Sequence, residues 1–245
     1  MTSIIHDNPL PASGPAGGGP AGRQLVICDF DGTVCRVDLC NEILDHFAGD
    51  WEAIDRAYAA GEVGSRAAYG RIAPLIRASR PQMWDFILKH ERLDPSFPEF
   101  LSFCRGRKID LKIVSDGLDA CIEATLRKHG LDVEYFSNRL LFRPDGRIEF
   151  DFPPASPECG RCGTCKRSLI DRFRPDYDRI IYIGDGHSDI CAAQTADQIF
   201  AKDILYDKCM ENGTPCLFYN DFGDIRRIWE KNGSPVAAGL PGFEA

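Results

Sequence analysis

The nine residues Leu25-Val26-Ile27-Cys28-Asp29-Phe30-Asp31-Gly32-Thr33 limit the folds open to this chain more than any other stretch. A short apolar run stops at two carboxylates one residue apart, followed by a glycine and a hydroxyl. The run reads as a strand buried on both faces, as parallel strands of α/β sheets are. Open α/β sheets place their chemistry at the carboxyl ends of such strands. Two acids crowded there repel each other and lose hydration, which is costly unless a cation or a reaction uses them. Taken alone, the stretch also reads as a strand followed by an Asp-rich turn.

Later pieces repeat the pattern. Leu111-Lys112-Ile113-Val114 is a second apolar run and ends in Ser115-Asp116-Gly117. Arg179-Ile180-Ile181-Tyr182-Ile183 is a third and ends in Gly184-Asp185-Gly186-His187-Ser188-Asp189. Between them Lys166 opens an expected helix. Asp-x-Asp-Gly-Thr, Ser-Asp-Gly, Lys and Gly-Asp-x-x-x-Asp, in that order, resemble the four motifs of the haloacid dehalogenase-like superfamily.

That resemblance implies an α/β fold: a Rossmannoid core with a central parallel sheet flanked by helices, and a small helical cap inserted between the first and second motifs. The expected organisation is a disordered Pro/Gly-rich tail over 1–22, a core of 23–35 and 96–233, a cap over 36–95 and a loose tail over 234–245. Within 36–95, Cys40, Ile43, Leu44 and Phe47 recur at helical spacing, as do Tyr69, Ile72 and Ile76. Pro74 is expected to bend the second of these helices or to mark its early turn, and Pro81 to open another. Further helices are expected over 96–106, 118–129, 203–211 and 221–231. Strands are expected over 133–136 and in a hairpin about the Asp145-Gly146 turn. Shorter ones are expected at Ile199-Phe200 and at Cys216–Tyr219.

The resemblance also implies roles. Asp29 corresponds to the nucleophile, forming an aspartyl-phosphate, and Asp31 to the general acid and base. Mg²⁺, a hard ion that prefers oxygen ligands, is expected on the Asp29 carboxylate, the Asp31 carbonyl and Asp185. Asp189 is expected behind it, or orienting Lys166. Ser115, the amides of Asp116 and Gly117, Lys166 and Thr33 are expected to hold phosphate. Read without the family, Ser115, Asp185 and Asp189 are helix caps and Lys166 is solvated surface. The second acid separates this chain from the dehalogenase branch, while phosphotransferases share it.

Cys159-Gly160-Arg161-Cys162-Gly163-Thr164-Cys165-Lys166, the run Phe200–Leu205, Cys209 and Tyr219-Asn220-Asp221-Phe222, with Asp38 five residues past Thr33, resemble a narrower group. It acts on 2-hydroxy-3-keto-5-methylthiopentenyl-1-phosphate in methionine salvage and is related to phosphoserine phosphatase. Asp116 departs from that group, where glycine is expected. It resembles instead a neighbouring group acting on phosphoethanolamine, phosphocholine or pyridoxal phosphate, and an acid there favours a positively charged substrate. Asp38 is a candidate substrate contact in the cap, or a helix N-cap. Cys159, Cys162 and Cys165 have the spacing of soft-metal ligands, but a closed zinc site takes four. Cys209, Cys35 or a histidine is the candidate fourth, and plain thiols are the other reading. His187 reads as an exposed loop residue.

The bulk numbers set outer limits. A length of 245 residues suits one core plus an insertion. A net charge of −8 argues against nucleic-acid and anionic-membrane surfaces. No spanning segment or secretory signal is evident, so the eleven cysteines are expected as free thiols in the cytoplasm. The expected partner is a small phosphorylated metabolite. A non-catalytic phospholigand receptor on the same fold is the reading from a different class.

Overall fold

The computed structural model describes residues 22–154 and 159–231. The expected tails lie outside these residues, apart from Gly22. Seven strands form one sheet in the order β4-β3-β2-β1-β5-β6-β7. They are β1 (Gln24–Cys28), β2 (Asp110–Leu118), β3 (Glu134–Phe142), β4 (Ile148–Asp151), β5 (Arg179–Gly184), β6 (Gln198–Ala201) and β7 (Leu217–Phe218). Every neighbouring pair is parallel except β3 and β4, which form the antiparallel edge.

The central strand explains the layering. Alternate residues of a strand face opposite sides, and β1 is apolar on both. Leu25 and Ile27 join a cluster with Ile170 and Phe173 of α7 (Lys166–Phe173) and with Ala192 and Ala193 of α8 (Ile190–Ala193). Val26 and Cys28 join the other cluster, with Phe97, Phe100 and Cys104 of α5 (Phe97–Gly106) and Phe222 and Trp229 of α10 (Phe222–Lys231). The helix α9 (Asp203–Glu211) covers the first face through Leu205 and Cys209.

The segment after β1 is helical: α1 (Leu39–Phe47), α2 (Glu52–Ala59), α3 (Ser65–Ile72) and α4 (Arg80–His90). Pro74 does not bend a continuing helix. The α-helix stops at Ile72 and a single 3₁₀ turn, Ala73–Leu75, follows, because proline lacks the amide the next turn needs. Ile43, Met83 and Ile87 belong to the same apolar cluster as the sheet residues. This insertion therefore shares its core with the sheet, and α4 packs on α6 (Asp119–Lys128).

Two boundaries differ from the sequence reading. β2 runs on through Ser115, Asp116 and Gly117 to Leu118, with a register shift against β3 between Val114 and Leu118, and α6 begins at Asp119. The expected strand at 133–136 and the first arm of the hairpin are one strand, β3. Its first half pairs with β2 and its second half with β4.

No helix among the described residues is long and apolar enough to cross a membrane.

Candidate active site at the carboxyl rim of the sheet

Register brings the motifs together. Cys28 lies opposite Ile113 on β2 and Ile183 on β5, so the residues following each leave the sheet at one rim. The Asp29 amide donates to the Ile183 carbonyl at 2.9 Å, and the chain then curls away, with the amides of Thr33 and Cys35 both donating to the Phe30 carbonyl. This curl is why two acids one residue apart reach the same rim. Gly32 makes it possible: its φ of +74° suits glycine, and a Cβ there would strike the Asp185 carboxylate.

Lys166 is buried at the centre of the charges. Its ammonium lies 2.8 Å from Asp29 Oδ1 and 2.5 Å from Asp189 Oδ1, and donates to Ser188 Oγ at 2.7 Å. Burial works to lower its pKa, but Asp189 and Asp29 outweigh it and raise the value above that of free lysine. It is a fixed cation rather than the solvated surface lysine of the family-free reading. Asp189 is fully buried and its oxygens are fully engaged. Besides Lys166, the Tyr182 hydroxyl donates to it at 2.6 Å and the amides of Asp185 and Gly186 at 2.9 Å each. Burial would raise its carboxyl, yet Lys166 and these donors hold it below the usual carboxylate range. Asp189 therefore positions Lys166 and the loop after β5.

Asp29, Asp185 and Asp189 bring one oxygen each within 4.8 Å of one another. Burial and then Asp189 push Asp185 up to about 7, and the same two causes raise Asp29. Three carboxylates against one ammonium leave net negative charge in a poorly hydrated place. Hard oxygen donors with an uncompensated charge fit a Mg²⁺ ion. Asp185 is steadied by the Thr33 hydroxyl, which donates to it at 2.5 Å. The Tyr219 hydroxyl stands 3.3 Å from Thr33 Oγ1. Thr33 is completely buried, so its hydroxyl serves Asp185 rather than an incoming phosphate.

Asp31 accepts the Leu39 amide at 3.0 Å. Burial and then repulsion from Asp38 raise its carboxyl well above the ordinary range. Asp38 itself caps α1, accepting the Asn41 amide at 2.8 Å, and its side chain remains open to solvent at the mouth of the site. Ser115 is buried beside Asp31, its Oγ accepting the Gly117 amide at 2.9 Å. That leaves the hydroxyl proton for another acceptor. A Cβ on Gly117 would run into both the Asp31 carboxylate and Ser115 Oγ, so glycine is required for this close approach.

The Asp116 side chain does something the sequence reading did not anticipate. The Ser65 hydroxyl donates to Oδ2 at 2.5 Å, while the Thr164 amide and Asn138 Nδ2 donate to Oδ1 at 2.8 and 3.2 Å. Both oxygens are consumed inside the protein, so the carboxylate is not available to select a cationic substrate. The knot instead ties β2 to β3, to α3 and to the loop before Lys166. Ser65, Asn138, Thr164 and Tyr182 carried no sequence signal. A tyrosine within an otherwise aliphatic strand is the nearest to one, because a buried hydroxyl needs a partner. Tyr58 of α2 lies within electrostatic reach of Asp116 and Lys166. Tyr69 of α3, its Oη 3.3 Å from Cys40 Sγ, is within similar reach of Asp116 and Asp31.

All eleven cysteines are free. Cys159, Cys162 and Cys165 cluster, but the proposed fourth ligands lie elsewhere: Cys209 interacts with Cys216, and Cys35 Sγ accepts the Arg92 amide. His187 is exposed.

A family model described as haloacid dehalogenase-like hydrolase matches residues 26–194. The 2-hydroxy-3-keto-5-methylthiopentenyl-1-phosphate phosphatase of Brevibacillus brevis is 33% identical over 214 residues, covering 85% of this chain and 96% of its own. The protein of the same name from Geobacillus kaustophilus is 34% identical over 209 residues, covering 83% and 94%. Among solved structures, a substrate-bound phosphoserine phosphatase complex superposes with a TM-score of 0.64 over 85% of this chain and 99% of that one, at 19% identity.

Proposed function

The chain belongs to the haloacid dehalogenase-like hydrolases, and from that premise we propose that it is a Mg²⁺-dependent phosphatase of 2-hydroxy-3-keto-5-methylthiopentenyl-1-phosphate. It is a phosphomonoester hydrolase, as its relatives are. The single observation that carries the mechanism is the placing of two acids at one rim, only one of them held against a buried ammonium. Asp29 is clamped 2.8 Å from a buried ammonium, and burial and Asp38 raise the Asp31 carboxyl well above its ordinary range.

Asp29 attacks phosphorus and displaces the alkoxide, forming an aspartyl-phosphate. Lys166 and the Phe30 amide, which donates to Asp29 Oδ1 at 2.7 Å, hold the carboxylate in one rotamer and leave Oδ2 for attack. Asp29, Asp185 and the Asp31 carbonyl would hold a Mg²⁺ ion, which would supply the charge neutralisation that lets one anion approach another. Asp31 delivers its proton to the leaving oxygen and then takes a proton from the water that opens the phosphoenzyme. The Ser115 hydroxyl donates to a phosphate oxygen, with the Gly117 amide fixing its direction.

The helices of 36–95 serve as the cap that excludes water and chooses the substrate. Tyr58, Tyr69 and Cys40, within electrostatic reach of Asp31, Asp116 or Lys166, would form an aromatic and sulfur-lined wall of that cap. With Asp116 consumed by Ser65, Thr164 and Asn138, that wall suits a neutral thioether tail better than the ammonium of phosphoethanolamine or phosphocholine.

The test is phosphate release by purified protein from a panel of these esters, phosphoserine and pyridoxal phosphate, with p-nitrophenyl phosphate as the generic substrate. The thioether ester is expected to give the highest kcat/KM, in a reaction that EDTA stops. A higher value on phosphoethanolamine would overturn the substrate assignment. Asp29→Asn is expected to abolish turnover, and turnover retained in it would remove the nucleophile. Asp31→Asn is expected to slow phosphoenzyme breakdown by about 10²-fold or more.

A further inference from the structure

The cysteine cluster before α7 takes no part in this chemistry. Cys159, Cys162 and Cys165 bring their Sγ atoms within 4.8 Å of one another, with Cys159 and Cys162 at 3.4 Å. All three are half-buried. They have neither the exposure of surface thiols nor the full apolar packing of Cys28 or Cys104. Two sulfurs on one tetrahedral metal at ~2.3 Å stand roughly 3.8 Å apart, so the cluster is compact enough for one metal to reach all three.

Backbone amides face two of the three sulfurs. The amides of Arg161 and Cys162 interact with the Cys159 sulfur, two and three residues ahead of it, and the Ser168 amide with that of Cys165. Cys165 is also the N-cap residue of α7, where peptide dipoles favour an anion. Among the described residues, the only other group of three or more His, Cys, Asp or Glu side chains so placed is the all-oxygen one at the rim.

We propose that Cys159, Cys162 and Cys165 bind one Zn²⁺ as three thiolates, with a water molecule in the fourth position. Each thiol releases its proton to solvent on binding. The two clusters then sort their metals by ligand type, Mg²⁺ on carboxylates and Zn²⁺ on thiolates. The site sits where the cap meets the lysine loop. Arg66 donates to the carbonyls of Cys162, Gly163 and Pro153 at 3.2, 3.3 and 2.6 Å, and Arg161 donates to the Gly61 carbonyl at 2.6 Å. The Gly163 amide donates to Ser65 Oγ at 3.0 Å. A metal on the cysteines therefore stiffens the segment that grips α3 and delivers Lys166, without touching the reacting atoms.

The experiment is elemental analysis of the full chain purified under reducing conditions with Mg²⁺, followed by titration of the stripped protein with Co²⁺. About one zinc per chain and a thiolate-to-cobalt charge-transfer band are expected. Both should be lost in Cys162→Ser and Cys159→Ser and kept in Cys191→Ser and Cys209→Ser. Removing zinc with a zinc-selective chelator should lower Tm by a few degrees in the parent and not in Cys162→Ser, which separates metal loss from misfolding. Reduced protein that takes up neither zinc nor cobalt would overturn the proposal. So would zinc retained by the Cys159→Ser/Cys162→Ser double variant, or a Cys159–Cys162 disulfide whose reduction leaves a chain that binds no metal.

Discussion

At Asp185 the proposed metal role and the stability of the site oppose each other in a single residue. Its carboxyl is pushed up to about 7 by burial and by Asp189, with the Thr33 hydroxyl and Lys166 offsetting part of the effect. Without metal it is a source of repulsion. Asp185→Asn is therefore expected to raise Tm in Mg²⁺-free buffer by a few degrees while cutting turnover by about 10²-fold or more. A fall in metal-free Tm would contradict the charge argument. Thr33→Val removes the hydroxyl that aims Asp185 and leaves the acids in place. The Mg²⁺ concentration for half-maximal activity should rise about 10- to 100-fold, with little change in kcat at saturating metal. Asp29, Asp31, Lys166 and Asp185 were readable in the chain because each stands at a strand end or helix start with a glycine or hydroxyl beside it. The true partners of Asp116 and Asp189 were not, because Ser65, Asn138, Thr164 and Tyr182 reach them through side-chain contacts that no spacing rule encodes.

Elements meet at two joints that make separate predictions. The first joins α4 to α6. Glu91, just past the end of α4, is buried and accepts from Lys128 at 2.6 Å, His129 at 3.0 Å and the Leu93 amide at 3.0 Å. Burial works to raise its carboxyl, but these donors bring it below the ordinary value. A carboxyl depressed in the folded chain stabilises fully above its unfolded value of about 4.3, and the contribution fades as pH falls through the folded value. Glu91→Gln should cost about 1–3 kcal/mol at pH 7 in denaturant melts, and the gap from the parent should close in acid below that range. The second joint is Arg66 on the cysteine loop. Arg66→Ala should lower kcat/KM on the natural ester about 10- to 100-fold, with a smaller loss on p-nitrophenyl phosphate, which asks less of the cap. Equal losses on both would place Arg66 outside substrate selection. Element identities were largely legible from hydrophobic spacing. The run of β2 to Leu118 and the continuity of β3 were not, since strand ends here depend on what the neighbouring strand offers.

Across the whole molecule, a single sheet rim gathers residues from four distant parts of the chain. The folded state therefore carries the site's repulsion as a global cost, and a ligand that removes it stabilises everything. Mg²⁺ at about 100 times its dissociation constant should add about 2.7 kcal/mol and raise Tm by about 5–10 °C in a chain of this size. Asp29→Asn should shrink the shift, and an unchanged Tm on adding Mg²⁺ would argue against a cation at the carboxylates.

What the linear chain carried was the order of its parts: an apolar run ending in Asp29 and Asp31, two more ending in Ser115 and Asp185, and Lys166 between them. That order, with alternation and helical periodicity, specifies a parallel α/β sheet and a polar rim, because both follow from local backbone geometry. Which hydroxyl steadies Asp185, why Asp116 faces inward, and how three thiols come to share one corner depended on folding. Those contacts join residues up to 186 positions apart, as between Thr33 and Tyr219. Only packing all the layers at once sets distances of that kind to within an ångström.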